Sequence, residues 1–190
     1  MKNPLDSILG TIISGLVLTL VLYVFLKNFI IPGLARWLHV VAGITWIGLL
    51  YYFNLVQIPA LKDAAADGSA GGITKHVAPR ALLWFRWAAV ATWLAGAAIL
   101  QENFIAAFTL QTGYEGIGIG SWLGTIMLFN VWVLIWPNQQ KILGMVQATD
   151  DEKAKARRVA FLASRTNLML SLPMLFFMAN GLSHRALIGL

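Results

Sequence analysis

The chain has three histidines and no cysteine, so metal chemistry here rests on imidazole, thioether or oxygen ligands. Disulfides, thiolate zinc sites, iron–sulfur clusters and a CxxCH haem attachment are excluded. His39 stands in the run RWLHVVAGITWIGLLYYFNLVQIP, with Gly43 four residues on and Trp46 seven residues on. In a helix those three share one face. A glycine one turn from a ligand leaves room for a flat macrocycle, and a tryptophan below it closes the pocket. His184, near the other end of the chain, falls at a similar depth once the spans are ordered. Two imidazoles from different helices form an axial pair for a b-type haem, which needs no cysteine. His39 and His184 are therefore the candidate ligands to haem iron. The competing account is a hydrated interfacial histidine beside a glycine that serves only helix packing.

A second group is polar and uncharged or cationic. Asn54, Gln57, Arg86, Arg165 and Asn167 fall toward the opposite ends of their helices, with Arg80, Asn138 and Gln139 close by. Arginines and amides around a bundle mouth suit an anionic or carbonyl-rich ligand, and they equally suit interhelical hydrogen bonding. No span contains an acidic residue, and no nucleophile–base pair or carboxylate dyad is visible, so hydrolysis and proton pumping find no support. Catalytic residues cannot be assigned from these patterns.

The elements that must position these groups are transmembrane helices. Of 190 residues, 58% are hydrophobic and 12% charged, and the mean hydropathy is +0.72. Soluble domains carry roughly 25% charged residues. Apolar runs near 8–30, 36–58, 81–101, 118–137 and 161–182 each approach the roughly 20 residues needed to cross a bilayer. The expected architecture is a single all-α domain over 1–190, an integral membrane bundle of about five spans. Pro32–Gly33, Pro59 and Pro137 read as ends of helices. The segment LKDAAADGSAGGITKHVAP reads as a flexible loop and Pro173 as a kink, while Thr149 with Glu152 reads as a capping box opening the last helix.

The net charge of +6 does not point to nucleic acid, because its placement follows the membrane. Lys2, Lys62, Lys75, Arg80, Arg86, Lys141, Lys153, Lys155, Arg157, Arg158 and Arg165 share one side, leaving Lys27, Arg36 and Arg185 on the other. The positive-inside rule then puts the N-terminus in the cytoplasm and the C-terminus outside. The first span lacks a small-residue cleavage pattern and is expected to be retained.

Four stretches in order, WLHVVAGITWIGLLYYFNLVQIPAL, PRALLWFRWAAVATWLAG, GTIMLFNVWVLIWPNQQKI and ASRTNLMLSLPMLFFM followed by Ser183–His184, resemble the N-terminal transmembrane domain of the bacterial membrane-bound urate oxidases, or urate hydroxylases. The resemblance covers most of Arg36 to His184 and both candidate haem ligands. It implies an electron-transferring module in the bacterial cytoplasmic membrane. Those enzymes are longer and carry a C-terminal cytochrome c domain, which this sequence lacks. The expectation is thus part of a membrane-bound oxidoreductase, not complete alone, that binds haem b and works with other membrane subunits or a cytochrome c-type redox partner. A cofactor-free accessory subunit of a larger respiratory or oxidase complex is the alternative.

Overall fold

A computed structural model describes residues 3–25 and 31–179, and every regular element among them is helical. The contacts divide into two compact units, Met1–Leu34 and Ala35–Leu190. The first holds α1 (Ile8–Phe25), ILGTIISGLVLTLVLYVF, which is apolar on all sides, as a helix in hydrocarbon must be.

The second unit is built from α2 (Gly33–Ala66, from Ala35 onward), α3 (Ala70–Phe108), α4 (Glu115–Ile142) and α5 (Asp150–Ala179), each long and apolar enough to cross a membrane. Cross-helix contacts fix an up-down-up-down order. His39 meets Thr92 and Phe53 meets Phe85 between α2 and α3. Trp93 meets Thr125 and Trp87 meets Trp132 between α3 and α4, and Asn130 meets Asn167 between α4 and α5. The bundle closes where Asn54 of α2 reaches Ser164 of α5.

Among its described residues, this unit buries six polar side chains within an apolar core and turns large apolar side chains outward. Asn54, Gln57, Thr92, Asn130, Asn167 and Ser171 are buried, while Leu55, Trp84, Trp87, Phe129, Leu172 and Phe176 are exposed. Keeping hydrogen-bonding side chains inside and a wholly apolar exterior is the arrangement hydrocarbon demands, because only the interior can satisfy hydrogen bonds. The α4–α5 seam uses small residues. Ala156, Ala160, Ala163 and Ser171 are buried along α5, and a side chain at Gly120 of α4 would come within 3.2 Å of Met178 Cε. With no hydrophobic gain on offer in lipid, such close approach is what van der Waals attraction requires.

The prolines do not end the helices. Pro59, Pro79 and Pro137 each lie two residues past a π-helical turn, over Phe53–Gln57, Ile73–Val77 and Asn130–Ile135, and the helix continues beyond. An interior proline removes one N–H and clashes with the carbonyl four residues back, whereas a π turn widens the helix there and avoids the collision. The hydrogen bonds show how closely the two features fit. Ile58 N–H donates to Phe53 O, Ala78 to Ile73 and Trp136 to Val131, each five residues back. The next carbonyls, of Asn54, Thr74 and Trp132, thus lose their α-helical donor. Their π-helical donor would be the missing N–H of Pro59, Pro79 or Pro137. One free carbonyl serves both the bulge and the proline.

The stretch after Pro59, expected as a flexible loop, is consequently helical except at Asp67–Ser69, where Gly68 takes φ 80. Pro32 and Gly33 likewise lie within helical backbone, Ile31–Tyr52, as proline's missing N–H permits in a first turn. Pro173 is inside unbroken helix. The capping box forms as expected: Thr149 N–H donates to Glu152 Oε2 at 2.8 Å, and Glu152 N–H to Thr149 Oγ1 at 3.3 Å.

Candidate functional site

His39 is half-buried on α2, and its Nδ1 lies 2.8 Å from the carbonyl oxygen of Thr92 on α3. A carbonyl only accepts, so Nδ1 carries the proton, and neutral imidazole then keeps its lone pair on Nε2. Gly96 makes this approach possible, since a Cβ there would stand 3.0 Å from His39 Cε1 and 3.1 Å from Nδ1. The ring thus occupies a notch in α3 formed by a missing side chain, against a carbonyl one turn away.

Gly43 and Trp46 follow His39 on the same face. A Cβ at Gly43 would find Thr92 Cγ2 at 3.7 Å, an ordinary contact. Trp46 is 2% exposed and belongs to the main core with Leu50, Phe53, Phe85 and Met127. Its indole Nε1 is buried with no hydrogen-bond partner. The His39–Gly43–Trp46 face is therefore the α2–α3 contact surface, with His39 at its edge and Trp46 in its centre. His184 lies outside the described residues.

The second predicted group separates into two arrangements. Amides join at the bundle centre: Asn54 Nδ2 donates to Leu50 O at 2.9 Å and Ser164 Oγ at 2.8 Å. Asn130 Nδ2 donates to Asn167 Oδ1 at 2.8 Å, and Asn167 Nδ2 to Met127 O at 3.0 Å. Ser171 Oγ completes the ladder 3.2 Å from Tyr51 OH. Gln57 is buried in the same π turn as Asn54, and the side-chain oxygens of both lack partners.

The arginines stand apart from the amides and go to aromatic rings. The Arg86 guanidinium lies 3.7 Å from the ring centre of Trp136, within cation–π range. Arg165 is exposed, 5.4 Å from the Phe161 ring. An aromatic face holds a guanidinium without consuming its N–H donors. Asn138 turns back on its own helix, donating to Leu134 O at 2.7 Å.

Asn130, an amide near the middle of the fourth span, is visible in the sequence by its type, whereas nothing in the pattern around His39 or Asn54 singled out Thr92, Gly96 and Ser164. The one available signal was the i, i+4 spacing of Thr92 and Gly96, which puts both on one side of α3.

The family model described as urate oxidase N-terminal matches residues 24–112 and 103–186. The chain belongs to the urate oxidase N-terminal family. His39 and its α3 partners, the amide ladder and the Arg86–Trp136 pair all lie inside the matched region of this urate oxidase N-terminal domain. No curated protein and no solved structure matches it.

Proposed function

We propose that this urate oxidase N-terminal domain is an electron-transfer module of the bacterial cytoplasmic membrane, binding a b-type haem through His39 and acting with a separate cytochrome c-type redox partner. The observation that carries the reading is the His39–Thr92 bond. Histidines that ligate metals nearly always donate their other ring N–H to a carbonyl or carboxylate, which fixes the tautomer and raises the basicity of the ligating nitrogen. His39 meets that requirement and would hold the iron through its other ring nitrogen. A bound haem would supply one-electron chemistry. The chain's own part is to keep Nδ1 as the donating nitrogen, which leaves Nε2 as the one available to a ligand. Thr92 O holds the ring by its Nδ1 proton, Gly96 admits the ring to α3, and Gly43 with Trp46 sets how closely α2 and α3 approach.

A reduced-minus-oxidised visible spectrum of the protein, purified from haem-replete cells, tests the reading. The expected result is a b-type α band and Soret shift in the wild type, lost in His39→Ala. A wild-type preparation without either band overturns it.

The burial of Trp46 favours a second reading, since a residue committed to the core is explained by packing alone. On that reading the chain is a cofactor-free accessory subunit, and it co-purifies with a larger oxidase complex while no chromophore belongs to it.

A further inference from the structure

At the end of the second unit that carries the Gly68 and Gly144 turns, α2 and α3 are separated by an open furrow of ≈ 500 Å³ lined by Leu49, Tyr52, His76, Val77, Arg80 and Trp84, together with Ala81. The α3 residues recur at i, i+1, i+4, i+5 and i+8, one stripe of a helix, and Leu49 and Tyr52 stand at i and i+3 on α2. The Ile73–Val77 π turn sets the register of the stripe where it begins. A furrow between two roughly antiparallel helices follows their axes, and its walls are almost wholly apolar.

Its rim is cationic. Arg80 is exposed and donates one N–H, from Nη1, to His76 O at 2.7 Å. The only ion pair among the described residues is Lys153–Asp150, so no described carboxylate neutralises Arg80. Its other donors have no hydrogen-bond partner among the described residues. Lys75, also exposed, precedes His76. Trp84 is 54% exposed, as an indole anchored at headgroup depth would be.

We propose that this furrow binds one anionic phospholipid, its acyl chain along Leu49, Val77, Ala81 and Trp84 and its phosphate on the free N–H groups of Arg80. Charge complementarity selects this occupant. A zwitterionic lipid offers the same phosphate but offsets its charge with its own cation, whereas an anionic headgroup leaves a full net charge for the guanidinium to pair through charge-assisted hydrogen bonds. The proposal stands independently of haem binding, since the furrow lining includes none of His39, Thr92 and Gly96.

Native mass spectrometry of the full chain, released from detergent with equimolar phosphatidylglycerol and phosphatidylcholine, tests it. Retention of phosphatidylglycerol is expected to exceed that of phosphatidylcholine about fivefold, the ratio one basic residue at an anionic surface provides. Arg80→Gln should equalise the two lipids, Arg80→Lys should restore the preference, and Val77→Trp, which fills the furrow, should lower retention of both. Arg80 is exposed, so its variants leave the core intact, and matched thermal midpoints verify this. Equal retention by the wild type, or an unchanged preference in Arg80→Gln, overturns the proposal. Displacement of phosphatidylglycerol by a neutral quinone, equally in wild type and Arg80→Gln, also overturns it.

Discussion

Single residues decide which polar contacts hold the bundle. Asn167 is fully buried and both donates and accepts between α4 and α5. Asn167→Ala leaves Asn130 Nδ2 without an acceptor, and the expected loss is about 1–3 kcal/mol, the cost of orphaning a buried polar group. Adding Asn130→Ala should cost less than the sum of the two single changes, because the orphan is then removed as well. Thermal unfolding in detergent measures both, and strict additivity would show that the pair does not interact. Gly96 offers a cleaner comparison. A Cβ at Gly48 on α2 would meet nothing within 4 Å, so Gly48→Ala should gain up to about 1 kcal/mol from helix propensity. At Gly96 the same gain is opposed by contact with His39, and overpacking of this kind costs about 1–3 kcal/mol. Gly96→Ala should therefore be neutral or destabilising, and a gain equal to that of Gly48→Ala would mean that His39 does not fill the notch. The sequence made His39 visible by its type and by its regular spacing to Gly43 and Trp46. It did not reveal Thr92 or Gly96, because one contributes only a backbone carbonyl and the other only an absent side chain.

At the scale of the element, the π turns alter what a proline does. An interior proline in an α-helix costs about 3 kcal/mol or more, which is why Pro59 and Pro137 read as helix ends in sequence. Each instead follows a turn whose extra residue has already displaced the hydrogen-bond register, and α2 and α4 run through. Pro137→Ala should then supply an N–H in register with the free carbonyl of Trp132. Stability is expected to stay level or rise by about 1 kcal/mol, the net value of a typical hydrogen bond. A marked loss in thermal unfolding would show that the proline, not the widened turn, holds the helix in place. The same turns bring Asn54 and Asn130 into the interior, opposite Ser164 and Asn167 of α5. The amides thus cluster, and Arg86 and Arg165, expected with them, lie instead against Trp136 and Phe161. Regular 3.6-residue counting across Phe53–Gln57 misplaces every side chain beyond it by one position.

For the whole molecule, the Gly68 and Gly144 turns lie at one end of the second unit and the Gly113 turn at the other. The basic residues gather around the first end, so alkaline phosphatase fused after Gly68 should be inactive and after Gly113 active, if that end is cytoplasmic. Activity at Gly68 would reverse the orientation. What the sequence determined by itself is the membrane-spanning helical class, the succession of long apolar helices and the family, because these depend on composition, run length and ordered motifs that local chemistry expresses directly. What only the tertiary structure decided is where those helices change register and which polar groups meet: His39 on the Thr92 carbonyl in the Gly96 notch, the Asn130–Asn167 pair, and Arg86 on Trp136. The two hydrogen bonds join residues 53 and 37 positions apart, and the amide pairing depends on a one-residue shift of helical register. Neither distance nor register is written in local patterns of hydrophobicity.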